Sequence, residues 1–393
     1  MAYRIKRLNL VTGACGFTGS HLVKRLLDGG EEVVATDLAG AFEHPKTKFI
    51  SERIGLDFKH PSCRVIPADL TRRETLKKTF EHRITHVFHT ASLYDYSAPL
   101  DVLMKINVDG TVNLLDLAVG CGTLRRFIHW STCGVYGKPY PLNDPRRNTP
   151  FTEDGSPSPK NTPLDRNGPA GADLVNDYSV SKWRQEQIAW KCHRERGLPL
   201  TVLRPAPLYG PGGDYGHGGI VIAVHQGLLP CIPADTRNYI TTSVHIEDMA
   251  GFACHIAGRE SGIGRDFNVV DDSVISYHEF LHYIALILGR RLTDLPVVKQ
   301  TWLRPGMIAA AKAWLVLEQK FGVPRVRVFE VGSATYMASS YWISNRKSKE
   351  TGYTYRYPDV REGLRDTVDW FRRAGWLDKG YRPRSAWREY ADA

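Results

Sequence analysis

Short apolar runs recur through the first half of the chain, within residues 7–12, 32–37, 64–67, 86–89, 126–130 and 200–203. Between them, apolar residues return at helical spacing, as Leu22, Val23, Leu26 and Leu27 do after the first run and Leu76 and Phe80 after the third. Continuous apolar runs read as strands buried on both faces, and the spaced ones as helices with one apolar stripe. Their alternation predicts an α/β fold built on a doubly wound parallel sheet. Longer helices are predicted over 98–119 and 177–196, and a last one near 360–374 through Leu364, Val368, Trp370 and Phe371. The stretch 38–62 reads as polar and irregular, and Thr71 reads as the cap of the helix that carries Leu76.

The first strand runs into Gly13, Gly16 and Gly19, spaced Gly-x-x-Gly-x-x-Gly, and a helix follows. A strand, a glycine turn and a helix start form a pyrophosphate site, because the first turn has unpaired N–H groups and the positive dipole end. Gly13 permits the tight turn, Gly16 the approach of the phosphates and Gly19 close helix–strand packing. Cys15, Phe17 and Thr18 lie inside this loop and count with the glycines as cofactor-binding positions. Asp37 ends the second run, where a carboxylate accepts hydrogen bonds from an adenosine ribose. An acid there repels a 2′-phosphate, so NAD is expected over NADP.

Further cofactor contacts are expected at the ends of later strands. Asp69 and Leu70 would meet the adenine, and Thr90, Ala91 and Ser92 would run along the cofactor. Asn107 shares a helix face with Gly110, which predicts close packing on the strand that carries the catalytic loop, and it is counted as a cofactor-binding position. Pro205 and Pro207 fix an extended path near the nicotinamide end.

Tyr178 and Lys182 stand four apart on the helix 177–196, one turn up the same face. A phenol with a pKa of about 10 is a poor base at neutral pH, and a nearby ammonium lowers that pKa. Thr132 or Ser131, at the end of the fifth strand, would hold a substrate oxygen. Thr132, Tyr178 and Lys182 are the expected catalytic set, with the pair also holding the cofactor, and Ser131, Cys133, Leu208 and Tyr209 are the expected substrate contacts.

Composition narrows the surroundings. The 393 residues carry a net charge of +10, and the basic excess toward the end of the chain is scattered, which speaks for a solvated face and against a nucleic-acid module. The seven cysteines show no Cys-x-x-Cys, so neither disulfides nor a metal centre is expected, and Cys15 and Cys133 read as small filler. A strand that starts this early leaves no room for a signal peptide, so a cytoplasmic location is expected. The Pro-rich insert 138–176 reads as a lid, and Gly212, Gly213, Gly216, Gly218 and Gly219 as a mobile substrate loop. The apolar run 307–317, with Trp302, Trp314 and Phe321 nearby, is too short to span a bilayer. It reads as a buried helix first, and second as an apolar flap that meets a greasy substrate or a membrane surface.

Taken together these residues resemble the extended short-chain dehydrogenase/reductase family, the NAD-dependent epimerase/dehydratase group. Gly13/Gly16/Gly19, Asp37, Asp69-Leu70, Thr90 to Ser92, Asn107 to Asn113, Ser131 to Gly137, Tyr178/Lys182, Arg204 to Gly212 and His245 to Ala250 stand in the family's order. The resemblance implies a Rossmann domain over 1–204 and a smaller C-terminal substrate-binding lobe over 205–393, with about 240–258 returning to the Rossmann domain. It implies Thr132, three before the valine of Val-Tyr-Gly, as the catalytic hydroxyl, and a homodimer through the two long helices. Pro205-Ala206-Pro207-Leu208-Tyr209-Gly210-Pro211-Gly212 stands where nucleotide-sugar enzymes carry Phe-Asn, and looks like the 3β-hydroxysteroid and sterol-4α-carboxylate 3-dehydrogenase branch. That branch implies NAD-dependent oxidation of a secondary alcohol on a sterol-like small molecule, with loss of CO₂ where a carboxylate neighbours it. The alternatives are a nucleotide-sugar 4-epimerase or dehydratase, which the basic charge suits, and a non-catalytic NAD-binding protein.

Overall fold

A computed structural model describes residues 7–138, 149–154, 174–322 and 330–378. Most of the Pro-rich insert lies outside the described residues. Nine strands matter here: β1 Leu8–Thr12, β2 Glu32–Thr36, β3 Cys63–Val65, β4 His86–His89, β5 Arg126–Trp130, β6 Leu200–Pro205, β7 Cys231–Pro233, β8 Arg265–Val269 and β9 Thr293–Leu295. Seven of them form one parallel sheet in the order β8-β6-β5-β4-β1-β2-β3, while β7 pairs with β9 outside it. Seven helices frame the argument: α1 Phe17–Asp28, α2 Gly110–Val119, α3 Asp177–Arg196, α4 Ile246–Ala257, α5 Tyr277–Ile287, α6 Gln300–Phe321 and α7 Val360–Arg373.

The period of two along each strand splits the core into two layers. Val11, Val33, Ala35, Phe88 and Ile128 face α1 and α4, where Leu22, Val23, Phe252 and Ile256 cover them. Leu10, Val34, Val87 and Phe127 face the other way, under Leu114 and Leu115 of α2 and Trp190 of α3. Each fully buried aliphatic side chain contributes about 1.5–3 kcal/mol, so this double coverage is what holds the sheet. A third core packs Phe280 and Ile284 of α5 with Leu364, Val368 and Phe371 of α7, and Ile50 joins it from the N-terminal part.

Buried charge links the parts. Arg204 of β6 is fully buried and reaches Glu186 of α3 at 2.6 Å and Asp266 of β8 at 3.0 Å. Lys347 closes the group on Asp266 at 2.8 Å. The seventh strand, β8, was not among the apolar runs of the sequence: its Asp266 and Asn268 are polar yet fully buried.

Several expectations change. The stretch 38–62 holds two short helices, Ala39–Glu43 and Pro45–Ile54, the second started by the Pro at its first position. Thr71 is no cap; its N–H and hydroxyl both donate to Asp69. The helical run before α2 contains a π-turn, Met104–Asp109, and is not one uniform helix. The glycine run is closely packed: a Cβ on Gly213 would lie 2.7 Å from the Phe17 ring, and one on Gly218 would overlap the Gly213 carbonyl. The apolar run 307–317 lies in α6, which is mostly exposed instead of buried, with Trp302 62% and Phe321 73% accessible. No helix among the described residues is long and apolar enough to cross a membrane.

Candidate active site

β1 and β4 are neighbours in the sheet though not in sequence, and the connections from their carboxyl ends diverge. That reversal opens a crevice above Thr12 and His89, the place where ligands bind in open α/β sheets. The glycine turn rises from β1 at this point. Gly13 has φ +68°, and a Cβ there would lie 2.8 Å from the Ala91 backbone. A Cβ on Gly19 would lie 2.0 Å from the Gly13 oxygen, so only glycine allows α1 to start so close to β1. Gly16 caps α1 with no side-chain acceptor, which leaves the first-turn N–H groups to face the crevice.

Asp37 closes this loop from the side. Its carboxylate accepts the Cys15 N–H at 2.9 Å and the Leu38 N–H at 2.8 Å. Burial pushes its pKa up, and these two N–H groups act against that shift. The cradle is the size and chemistry of a dinucleotide: unpaired helix-start donors for a pyrophosphate, glycines that no side chain can replace, and a carboxylate for a ribose.

A cavity of about 1100 Å³ runs from this turn to the third core. Its wall includes Gly13, Cys15, Gly16, Phe17, Thr18, Gly19, Asp37, Asp69 and Leu70 at the turn end. Thr90, Ala91, Ser92, Ser131, Thr132, Cys133, Tyr178, Lys182, Pro205 and Leu208 line its middle. Leu229, Ile232, Leu281, Leu303 and Met307 line the far end.

Two expected site residues do not face this cavity. Asn107 is fully buried; its amide accepts from Leu93 N–H at 2.7 Å and donates to the Ser181 hydroxyl at 3.0 Å. It shapes the loop that leaves β4, and the gap at Gly110 is filled by Leu70, whose Cβ would lie 2.8 Å from an added methyl, and not by the catalytic strand. Tyr209 is fully buried in the third core, edge-on to His245 at 5.3 Å and against Gly363 of α7. Ser131 lines the wall, but its hydroxyl donates to the buried Glu186. Thr132 accepts the Gly134 N–H at 3.2 Å and so caps the short turn Cys133–Tyr136.

The helix start of α3 is fixed by Asn176, whose side chain accepts from Ser179 N–H at 2.9 Å, and its end by Gly197 in a left-handed conformation. Tyr178 on its first turn packs among tyrosines: Tyr94 at 4.9 Å and Tyr96 at 5.7 Å between ring centres, with Tyr215 4.7 Å beyond Tyr94. Burial raises the Tyr178 pKa well above the ordinary phenol value, and the neighbouring tyrosines add to the rise. Lys182 does not reach it among the described contacts. Its Nζ donates to Ser92 Oγ at 3.0 Å, to the Trp130 carbonyl at 2.6 Å and to Gln185 Oε1. The expected lowering of Tyr178 by Lys182 is therefore absent from this arrangement, while burial brings Lys182 itself down to about 7.

Behind Lys182 lies a buried polar chain that the sequence reading missed. Gln185 Nε2 donates to Thr111 Oγ1 at 2.7 Å, and Thr111 donates to the Asn107 carbonyl at 2.6 Å. His89 Nε2 also meets Thr111 Oγ1, at 2.8 Å, and His89 Nδ1 meets Thr12 Oγ1 at 2.9 Å. Burial holds His89 down to about 3, so it is neutral, and the Thr111 contacts put its proton on Nε2. The chain runs from the end of β1 to Lys182. Its legible signal was Gln185, three residues beyond Lys182 and on the same helix face.

The model of the NAD dependent epimerase/dehydratase family matches residues 9–269, from β1 through β8. The chain belongs to that family. It is thus an NAD-dependent oxidoreductase of the extended short-chain dehydrogenase/reductase type, and NAD is its cofactor. Among curated relatives, a UDP-glucose 4-epimerase of Mycolicibacterium smegmatis is 30% identical over 71% of this chain and 82% of the relative. A 3beta-hydroxysteroid-dehydrogenase/decarboxylase of Arabidopsis thaliana is 25% identical over 93% of this chain and 80% of the relative. Among solved structures, the UDP-glucose 4-epimerase of Thermus thermophilus in complex with NAD shares the fold, with a TM-score of 0.64 and 22% identity, covering 93% of this chain and 99% of that one.

Proposed function

We propose that this family member oxidises a secondary alcohol on a sterol-like, apolar small molecule, as a 3β-hydroxysteroid dehydrogenase does. The observation that carries the reading is the far end of the cavity. Leu229, Ile232, Leu281, Leu303 and Met307 form an apolar wall; no arginine among the described residues lines the cavity, and Lys46, which does, is paired with Asp214 at 3.0 Å. The Arabidopsis thaliana steroid dehydrogenase/decarboxylase, matched over most of both chains, supports the same reading.

Bound NAD supplies the hydride acceptor, held by the turn at Gly13 to Gly19, Asp37 and Lys182. Tyr178 takes the hydroxyl proton, Thr132 holds the same oxygen, and Lys182 keeps α3 in register with β5. A substrate with a carboxylate next to the new ketone then loses CO₂ as a β-keto acid, with no further protein group needed. The reading includes a cytoplasmic homodimer with a peripheral membrane contact. Exposed Trp302 and Phe321 on α6, together with Lys299, which lies over the Trp302 ring, support that contact.

The second reading, a nucleotide-sugar 4-epimerase, is favoured by the 30% identical UDP-glucose 4-epimerase. Absorbance at the NADH band decides between the two. The protein is mixed with NAD and a panel of 3β-hydroxysterols, with and without a 4-carboxylate. NADH formation that disappears in Tyr178→Phe supports the dehydrogenase. Silence with every sterol, together with turnover of UDP-glucose without net NADH, overturns it.

A further inference from the structure

In the C-terminal lobe, away from the glycine turn, three metal-ligating side chains converge. His278 and His282 stand one turn apart on α5, with ring centres 4.2 Å apart. Both Nε2 atoms point at Asp294 of β9: His278 reaches Oδ1 and Oδ2, each at 3.0 Å, and His282 reaches Oδ1 at 2.9 Å. One ligand atom from each of the three lies within 4.8 Å of the others. The zinc reading of the sequence looked for cysteines and so passed over this set.

We propose that His278, His282 and Asp294 form a binding site for a zinc-type divalent cation, with a fourth position open to solvent. Tetrahedral zinc with bonds of about 2.05 Å has ligand–ligand edges of about 3.3 Å, so the observed His–Asp separations need move by only a few tenths of an ångström. Two imidazoles and one carboxylate form a nitrogen-rich donor set that selects zinc, cobalt or nickel over calcium and magnesium, which prefer all-oxygen cages.

The frame around the three is already built. Ser276 and Glu279 form a reciprocal capping box that fixes the first turn of α5 beside His278. Arg237 donates to Asp294 Oδ2, which His278 also reaches, and so fixes the orientation of the carboxylate. All three ligands are partly exposed, so a cation can enter without opening the lobe.

The site sits behind the substrate wall. Tyr277 and Leu281, each next in sequence to one of the histidines, line the cavity, as do Ile232 and its neighbours on β7. Asp294 pairs in register with Ile232. A cation here ties α5 to the β7–β9 pair and holds the apolar end of the cavity in shape. This placement needs no particular substrate, so it stands whichever reading of the reaction holds.

The test uses full-length, tag-free protein stripped with a chelator. Cobalt(II) is titrated as a spectroscopic probe and then displaced with zinc, and melting temperature is recorded with and without zinc. Expected are one equivalent of cobalt with tetrahedral d–d absorption, and a zinc-dependent rise in melting temperature. Both should be lost in His278→Asn/His282→Asn, and binding should weaken roughly tenfold or more in Asp294→Asn. Cys231→Ser, which removes the exposed thiol on β7, should bind as the parent does. Binding that survives in the double histidine variant, binding lost with Cys231, or no binding at all would overturn the proposal. The zinc-free melting temperatures of the variants establish that they fold.

Discussion

Lys182 donates to the main-chain carbonyl of Trp130 at 2.6 Å, which ties α3 to the end of β5 two residues before Thr132. The same ammonium holds Ser92 and Gln185. Lys182→Met therefore leaves two buried acceptors, the Trp130 carbonyl and Gln185, and the half-buried Ser92 hydroxyl with one donor fewer each. Expected are a loss of about 1–3 kcal/mol of stability and a fall in kcat of about 10²–10⁴-fold. Thermal melts and steady-state kinetics on the same preparation check both.

Tyr178 is neutral at ordinary pH because burial raises its pKa. A base that must first lose its proton gives a rate that rises with pH. In the oxidation direction, kcat/KM should climb about tenfold per pH unit on the alkaline side of neutrality, and this slope should vanish in Tyr178→Phe along with the activity. A profile of the parent that is flat above neutrality would remove Tyr178 from the role of base.

Gly19→Ala places a methyl 2.0 Å from the Gly13 oxygen, and backbone cannot swing aside as a flexible side chain would. The turn must open. Titration of NADH fluorescence should give at least tenfold weaker binding, with a loss of roughly 2 kcal/mol or more in stability. Alanine at Gly30, where an added methyl meets nothing, tests the left-handed backbone cost alone, about 1 kcal/mol, and should leave the cofactor affinity unchanged.

Asp37→Ala removes both the acceptor for Cys15 and Leu38 and the charge that a 2′-phosphate would meet. NAD should bind roughly tenfold more weakly, one charge-assisted hydrogen bond being worth about 1.5–3 kcal/mol. NADP binding should improve relative to NAD. The ratio of the two dissociation constants, measured by calorimetry, is the readout.

Glu247 at the start of α4 meets His21 of α1 at 3.5 Å. Its contact with His21, with smaller contributions from His245 and Arg356, brings Glu247 down to about 2. A carboxylate depressed in the folded state contributes stability above its unfolded pKa, near 4.5, and loses it as pH falls toward 2. The parent should lose roughly 1–3 kcal/mol across that window that Glu247→Gln, already without the charge, does not lose. Chemical denaturation at a series of acid pH values measures it.

The parts of the site that were legible in the sequence are those built from neighbours in the chain. Gly13, Gly16 and Gly19 act within one turn, and Tyr178 and Lys182 sit on one helix face, so spacing alone brings each group together. The rest depends on tertiary placement. Tyr94 and Tyr215 come from separate loops, and no periodicity links them. β8 was missed because its buried Asp266 and Asn268 are satisfied by Lys347, Arg204 and Tyr136, partners that a local pattern cannot display. Asn107 was misread for a related reason: a polar side chain on a helix face says that it has a partner, but not whether that partner is a ligand or the Leu93 backbone.

Arg204 has one more consequence, for the order in which the chain is made. A ribosome releases β6 with its guanidinium long before Asp266 emerges, since the chain first builds part of the lobe. Until then β6 is an open sheet edge with a half-neutralised charge beside it, a surface that invites pairing with other chains. The nascent protein thus has a vulnerable interval that ends only when β8 docks. A fragment that stops short of β8 leaves that edge permanently bare.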